Sequence, residues 1–442
     1  MNFPEDFIFG FGTSSYQIEG ATEEDGREPS IWDTFCARPG TIQDGSSGRH
    51  ACDHYHRYRE DAALLQSLSA DAYCFSIAWP RVMKGNRINP AGFDFYSRLV
   101  DELLSRGIRP FAKLYHWDLP ESLQSQGGWV SRDTSLRFAD YTDQVTRVLG
   151  DRVKDWISHN EPWCAAFLGM YLGLFAPGYG TLSETLSAAH HILLSHGLAA
   201  DPVRSNVTGA AYGIGPNYIP VYPASDTEGD RSAATRFDGY FNRWFFDPVF
   251  GKGYPADMVE YYKKDMPDIR DGDMERIAVP LDFLGVNYYN ALVVADDPGG
   301  PLPEARSVPM EGVEKTADRE IYPRGLFDTL DTIHKTYKPK NIYITENGAA
   351  FDDSEPVDGV VDDRGRRAFL RDHLAVASEA LATGIPVKGF FVWSLLDNFE
   401  WASGYTLRYG VVHVNFSDQT RTVKNSGYML RDIFRSHRLE TS

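Results

Sequence analysis

The most constraining feature of this sequence is a series of short apolar or β-branched segments that each end in polar or glycine residues. There are eight: Phe7–Gly12, Ala72–Trp79, Arg109–His116, Asp155–His159, Val207–Ile214, Phe283–Tyr289, Asn341–Thr345 and Val387–Trp393. Most are continuously apolar rather than alternating, which is typical of parallel strands buried on both faces. We therefore expect eight buried parallel strands.

Between these strands lie segments in which apolar residues recur at helical spacing. The clearest are Tyr55–Leu68, Phe95–Arg106, Leu136–Leu149 and Arg367–Ala382, and glycine ends the last three. Strand and helix alternating eight times predicts an α/β fold, a single (β/α)8 TIM barrel that forms one catalytic domain over residues 1–442. A doubly wound open sheet is the alternative, but no glycine-rich dinucleotide loop follows any strand.

The connections between strands are uneven in length. The longest follow the first, fifth and sixth strands, and residues 215–235 and 295–320 are expected to be irregular loops. In a barrel, such long loops decorate the C-terminal face, where the active site lies. The site is therefore expected at that end.

Charge and cysteine usage limit the partners. The chain has 44 basic and 62 acidic residues, a net charge of −18, which argues against nucleic acid or an anionic membrane as partner. The four cysteines and the histidines do not have metal-ligand spacing, so we expect no metal and no cofactor. No basic segment precedes Arg27 and no apolar run reaches the ~18 residues of a membrane span, so a cytoplasmic location is expected.

Polar, acidic and aromatic residues follow the predicted strands. These segments are His116-Trp117-Asp118, Asn160-Glu161-Pro162, Asn287-Tyr288-Tyr289, Glu346-Asn347-Gly348 and the stretch from Trp393 to Trp401. Tryptophans stack on sugar rings, while amide, carboxylate and imidazole groups bind hydroxyls. Together they predict a carbohydrate site at one end of the barrel.

Glu161 and Glu346 follow the fourth and seventh strands, on roughly opposite sides of an eight-stranded ring. Glycoside hydrolysis needs such a pair, with one carboxyl protonated and the other ionised. A separation of ~5 Å gives retention of configuration and ~6.5–9.5 Å gives inversion. Both outcomes are open at this point.

Five motifs extend this pattern into a resemblance. They are Phe7 to Ala21, Tyr115-His116-Trp117-Asp118-Leu119-Pro120, Asn160-Glu161-Pro162-Trp163, Ile342 to Gly348, and Trp393 to Trp401. In this order they resemble the β-glucosidases of glycoside hydrolase family 1 over nearly the whole chain. The resemblance implies a retaining β-glucosidase that removes terminal non-reducing β-D-glucosyl residues from oligosaccharides or from aryl and alkyl glucosides by double displacement.

The resemblance also implies roles for individual residues. Glu346 would be the nucleophile, Glu161 the acid/base, Tyr289 a donor to Glu346 and Asn160 the partner of the sugar 2-hydroxyl. The other expected substrate-binding residues are Gln17, His116, Trp117, Asn287, Trp393, Glu400 and Trp401. Because Glu400 would repel a 6-phosphate, unphosphorylated β-glucosides and cellobiose-like oligosaccharides are the expected partners. Cellulose degradation and transglycosylation are the activities that such substrates suggest.

Two residues depart from the family pattern. Cys74 stands where the family carries an arginine that reaches the nucleophile. Either a basic side chain from another strand supplies the missing charge, or the enzyme is weakened. Arg319 stands where a tryptophan usually lines the leaving-group subsite, and it is expected either in the site or in solvent.

Two other functions are alternatives. A sugar-binding protein that lost turnover through Cys74 is one, although both carboxylates are present. A metal-dependent barrel hydrolase is the other, and it predicts sensitivity to chelators. A homo-oligomer is compatible with the sequence.

Overall fold

The computed structural model describes residues 1–440. Eight parallel strands form a closed barrel: β1 (Ile8–Gly12), β2 (Ala72–Ser76), β3 (Arg109–Tyr115), β4 (Asp155–Asn160), β5 (Ala211–Gly215), β6 (Phe283–Asn287), β7 (Ile342–Asn347) and β8 (Val387–Trp393). Each strand pairs with its neighbours in chain order, and β1 pairs with β8 to close the ring. The predicted (β/α)8 barrel is confirmed.

Helices surround the barrel. The α-helices are Ser15–Ile18, Ile31–Cys36, His54–Ser67, Trp79–Val82, Pro90–Ser105, Glu121–Gln124, Arg132–Leu149, Leu182–Asn206, Glu228–Asp238, Trp244–Val249, Ala256–Tyr262, Asp273–Ile277, Pro323–Tyr337, Arg364–Ala382 and Asn425–Ser436. Single turns of 3-10 helix lie at Gly128–Val130, Lys263–Asp265 and Trp401–Ser403, and π-helical segments at Cys164–Tyr171 and Gly239–Arg243. The four helices expected from the sequence are present, each beginning or ending within a few residues of its predicted bounds.

The predicted start of the fifth strand at Val207 is wrong. Helix Leu182–Asn206 begins with a capping box between Thr181 and Glu184, and Val207 is its C-terminal cap. A turn with Gly209 at φ +75° then leads into β5 at Ala211. The apolar residues that suggested an earlier strand therefore belong to the end of a helix and a turn.

The two segments expected to be irregular contain regular elements. Strand Val221–Pro223 and helix Glu228–Asp238 lie within or overlap the first, and the Thr227 side chain caps that helix by accepting from the Asp230 amide. Strands Leu292–Asp296 and Ala305–Val308 pair beside Val221–Pro223 in a small sheet. These strands are only three to five residues long and two of the three pair with segments distant in the chain, so the sequence carries little local signal for them.

Two short hairpins complete the strands, Met83–Lys84 with Arg87–Ile88 and Val412–Val414 with Arg421–Val423.

The inside of the barrel is filled by a layer of mostly aromatic and aliphatic side chains. The buried members are Ala72, Cys74, Phe111, Ile157, Phe283 and Phe391. The Phe111 ring packs edge-on against Phe391 with centroids 5.0 Å apart. This layer closes the barrel below the strand ends, so the cavity above it has an apolar and close-packed base.

Candidate active site

The carboxyl ends of the barrel strands open into a cavity of about 340 Å³. Eight of the predicted site residues line it: Trp117, Glu161, Asn287, Tyr289, Glu346, Trp393, Glu400 and Trp401. The other three, Gln17, His116 and Asn160, are buried next to residues that line the cavity: Gln17 hydrogen-bonds to Glu400, and the Asn160 amide to His116. The sequence thus identified one connected site, in which direct substrate contact for these three stays a prediction.

Glu346 lies near the end of β7 with its carboxylate held at both oxygens. Tyr289 donates to Oε2 at 2.7 Å, and the Lys113 ammonium contacts Oε1. Burial and the charge of Glu346 hold the pKa of Tyr289 well above its usual value, so it remains a protonated donor. The adjacent Tyr288 instead donates to the Tyr322 carbonyl, so the structure places Tyr289, not Tyr288, at the carboxylate.

Lys113 is a residue in contact with both Glu346 and Asn160 that the sequence analysis missed. It lies in β3 with its side chain fully buried, and Nζ also donates to Asn160 Oδ1 at 2.7 Å. Burial alone would lower the pKa of Lys113, but the adjacent Glu346 carboxylate raises it, and the net effect is a pKa above the usual value. Lys113 is therefore a cation. A lysine between Ala112 and Leu114 in an otherwise apolar strand was the signal available in the sequence.

Cys74 is buried in the barrel beneath Lys113. In the register of β2 with β3, Cys74 pairs with Phe111 and Ser76 with Lys113. Burial raises the pKa of the Cys74 thiol to about 12, so it is neutral. Of the two interpretations of Cys74, the structure agrees with the one in which a basic side chain from another strand supplies the charge. That side chain is Lys113 of the neighbouring strand β3.

Glu161 follows β4 and differs from Glu346 in its surroundings. Asn287 Nδ2 donates to Oε1 at 2.8 Å and the Cys164 thiol to Oε2 at 3.0 Å, and neither donor carries a charge. Burial and the nearby charge of Glu346 raise the pKa of Glu161 to about 7. A carboxyl group with this pKa can both give and take a proton near neutral pH.

A network of amides joins the two carboxylates. Asn160 Oδ1 accepts from both Lys113 and Asn287, the latter at 3.2 Å. Asn160 Nδ2 lies 3.1 Å from His116 Nε2, and burial lowers the pKa of His116 well below its usual value, so this ring is neutral. Trp117 Nε1 donates to the Asn160 carbonyl at 2.9 Å and fixes the end of β4.

Tryptophans and a third acidic residue, Glu400, also line the cavity. The His116 ring stacks between Trp393 and Trp401, with centroids 5.6 and 5.7 Å away. Gln17 Nε2 lies 3.2 Å from Glu400 Oε2. Burial and the nearby Asp318 charge raise the pKa of Glu400 to about 8.

Arg319 lines the same cavity, so its placement in the site, rather than in solvent, is the one observed. Its Nε and Nη2 donate to Asp318 Oδ2 at 2.9 and 2.5 Å, and its guanidinium lies 4.8 Å from the Tyr289 ring centroid. Tyr409 donates to the same Asp318 oxygen at 2.6 Å. Arg319 is therefore held in place at the mouth of the cavity.

His190, His191 and His196, three of the histidines for which the sequence predicts no metal binding, lie in the core on helix Leu182–Asn206. Within residues 1–440, no three His, Cys, Asp or Glu side chains come together as a metal site would require. The helices of that same range include none with the length and apolarity to cross a bilayer.

A closed parallel barrel with two buried carboxylates facing one tryptophan-lined cavity defines a barrel glycoside hydrolase. The model for glycosyl hydrolase family 1 matches residues 1–439, and the chain belongs to this family. It is 42% identical to β-glucosidase A of Thermotoga maritima, over 99% of both chains. It is also 42% identical to a 1,4-β-D-glucan glucohydrolase of Thermotoga neapolitana, again over 99% of each.

Solved structures agree. A family 1 β-glucosidase structure from Thermotoga maritima superposes with a TM-score of 0.97 and 41% identity, covering 100% of this chain and 99% of the other. The family, the fold and the predicted function as a retaining β-glucosidase are thus confirmed. The alternative of a sugar-binding protein without turnover has no support.

Proposed function

We propose that Glu346 is the nucleophile and Glu161 the acid/base of this β-glucosidase, and that its natural substrates are cellobiose-like oligosaccharides. The observation that carries the assignment of roles is the different environment of the two carboxylates. Glu346 contacts the Lys113 cation, whereas Glu161 contacts only neutral donors and has a pKa of about 7. A carboxylate beside a fixed cation suits the role of nucleophile, and a carboxyl group with neutral donors and a raised pKa suits the role of acid.

In the first step, Glu161 gives its proton to the glycosidic oxygen while a Glu346 oxygen bonds to the anomeric carbon. The bond from that carbon to the leaving oxygen breaks, Glu346 becomes a neutral ester and Glu161 becomes an anion. In the second step, Glu161 takes a proton from water, whose oxygen attacks the anomeric carbon and releases Glu346. Two inversions give a β-configured product.

The inner part of the cavity is suited to a glucosyl residue. Trp393 supplies a flat apolar face, and Glu400 with Gln17 behind it supplies hydroxyl partners. Asn160 is proposed to act on the 2-hydroxyl, where hydrogen bonds strengthen in the transition state. A sugar carrying a 6-phosphate would bring negative charge towards Asp318 and towards Glu400, which could bind beside it only in the protonated form, so we propose an unphosphorylated sugar.

The outer part of the cavity supports the proposal of a sugar as leaving group. Arg319 offers a fixed polar group at the mouth, where no residue of the described range 1–440 accepts a hydrogen bond from its Nη1. The cavity also has apolar lining residues that include Leu168, Phe175 and Phe241. Apolar lining residues and one hydrogen-bond donor match the two kinds of surface on a glucose ring.

Three broader proposals follow from this substrate class. The enzyme would act late in the degradation of cellulose, on short fragments, and at high sugar concentration a second sugar in the outer part would accept the glucosyl group. The cytoplasm is the compartment we propose, since all four cysteines are free thiols, as is usual under reducing conditions.

The assignment of roles is tested with Glu346→Gly and Glu161→Ala on aryl β-glucosides, with and without azide. Azide should restore turnover of both variants, giving α-glucosyl azide with the first and β-glucosyl azide with the second. The reverse stereochemistry would exchange the roles, and no rescue in either would reject them. The substrate class is tested by comparing kcat/KM for cellobiose and longer cello-oligosaccharides with that for alkyl glucosides.

A further inference from the structure

We infer that Lys113 is a positioning residue of the active site, supplying from β3 the cation that fixes both the Glu346 carboxylate and the Asn160 amide. The inference rests on the proposed role of Glu346 as nucleophile. It adds a positioning role for Lys113 to the roles proposed for Glu346 and Glu161, and it explains how the site operates with a neutral Cys74 in the barrel beneath.

The first support is that both hydrogen-bond partners of the buried Lys113 ammonium are residues of the active site. Its side chain is fully buried, and its hydrogen-bond partners are Glu346 Oε1 and Asn160 Oδ1. A buried cation is costly unless it is paired and hydrogen-bonded. Packing alone would favour an apolar side chain at this position of the barrel.

The second support is geometric. Lys113 in β3 holds one oxygen of Glu346, and Tyr289, just after β6, holds the other at 2.7 Å, so the plane of the carboxylate is fixed from two sides. Lys113 and Asn287 both donate to Asn160 Oδ1, so a flip of that amide would place its NH2 group against an ammonium. Asn160 Nδ2 is thereby kept away from Lys113.

The third support is the arrangement of β2 and β3. Cys74 lies two residues below the position that pairs with Lys113, which in a strand is a rise of ~6.6 Å. A long side chain at position 74 would extend towards the Glu346 carboxylate, whereas the short Cys74 side chain leaves that space to Lys113. Positions 74 and 113 are therefore alternative places for one cation, and in this chain Lys113 supplies it while Cys74 is neutral.

The double variant Cys74→Arg/Lys113→Thr tests this by moving the cation from one strand to the other. Lys113→Met alone should lower kcat for an aryl β-glucoside by about 100-fold or more, the scale of a lost catalytic interaction. The double variant should recover most of that loss, while Cys74→Arg alone should be impaired because two cations then compete for one site. A double variant no better than Lys113→Met would overturn the inference.

Two further readouts separate positioning from folding. In Lys113→Met the acidic limb of the kcat/KM profile should move to higher pH, because the site loses the cation that contacts the Glu346 carboxylate. The titratable and charged groups that otherwise face Glu346 are Glu161, Tyr289, Cys74, Cys164 and Glu400. The preference for glucosides over 2-deoxyglucosides should also fall, as in Asn160→Ala. A variant with normal kcat, acidic limb and 2-hydroxyl preference would refute a positioning role.

Failure of this inference is distinguishable from failure of the assigned roles. Azide rescue of Glu346→Gly in the otherwise unaltered enzyme tests the nucleophile without involving Lys113. If that rescue succeeds and Lys113→Met retains full activity, only the role of Lys113 is rejected. Adding Glu346→Gln to Lys113→Met should also raise the Tm above that of the single variant, because it removes the unpaired buried charge.

Discussion

The Cys164 thiol donates a hydrogen bond to Glu161 Oε2 across 3.0 Å. Cys164 lies in the π-helical segment that directly follows the Glu161 loop, and both residues line the cavity. Burial raises the pKa of the thiol well above its usual value, so it stays a donor. Its hydrogen bond favours the ionised form of Glu161 and opposes the effects of burial and of Glu346, which raise the pKa of Glu161.

Replacing Cys164 should therefore shift the pH dependence of the enzyme. In Cys164→Ala the pKa of Glu161 rises, so the basic limb of the kcat/KM profile moves to higher pH. A hydrogen bond with a net value of about 1 kcal/mol corresponds to about 0.7 pH unit. Cys164→Ser, which keeps a donor, should leave the basic limb near its original position. Identical profiles for the Ala and Ser variants would contradict this role of the thiol.

The pKa of Glu161 should change during the catalytic cycle. In the free enzyme burial and the Glu346 charge raise it to about 7. When Glu346 is esterified, its negative charge is gone, so the pKa of Glu161 should fall and the group should become the anionic base that the second step needs. Titration of 13C-labelled Glu161 by NMR, before and after trapping with a 2-deoxy-2-fluoroglucoside, measures this. An unchanged titration midpoint would show that burial alone sets the value.

The sequence was sufficient for the barrel because parallel strands buried on both faces need continuous apolar runs, as in Val387–Trp393, whose predicted and observed bounds are identical. It was insufficient at Val207, where apolar residues end a helix, because an apolar run of this length does not distinguish the two. The small sheet around Leu292–Asp296 was missed because pairing between distant segments leaves little local signal.

The candidate site was predictable where polar residues interrupt the ends of apolar strands, as at Glu161 and Glu346. Lys113 was missed because it lies in the middle of a strand. A charged residue at such a position usually faces solvent, so it does not by itself indicate a site. Its partner Glu346 is distant in the chain, so only the closed barrel brings the two together. The same holds for Cys164, whose thiol has no hydrogen-bonding signal in a sequence.

A second buried cation should be important for stability rather than for catalysis. Lys424 is fully buried and donates to Asp353 Oδ2 at 2.5 Å and Asp397 Oδ1 at 2.7 Å. Lys424→Met would leave these carboxylates with one cationic partner fewer, which should lower the free energy of unfolding by about 3 kcal/mol, the low end for a broken buried pair. Urea unfolding measures this. Lys335→Met, which removes an exposed pair with Asp331, is the control and should change stability by less than about 1 kcal/mol.

Arg319 should determine how the enzyme distinguishes leaving groups. Its guanidinium is held by Asp318 at the mouth of the cavity and lies over the Tyr289 ring, so its position is fixed before substrate binds. Arg319→Ala should lower kcat/KM for cellobiose by about tenfold, the effect of losing one hydrogen bond from a charged donor, and that for aryl β-glucosides by much less. Arg324→Ala removes an arginine outside the cavity and should alter neither value. Because Arg319 also contacts Tyr289, a loss of equal size on both substrates would mean that it acts through Tyr289 and Glu346, and the proposed contact with a leaving sugar would be rejected.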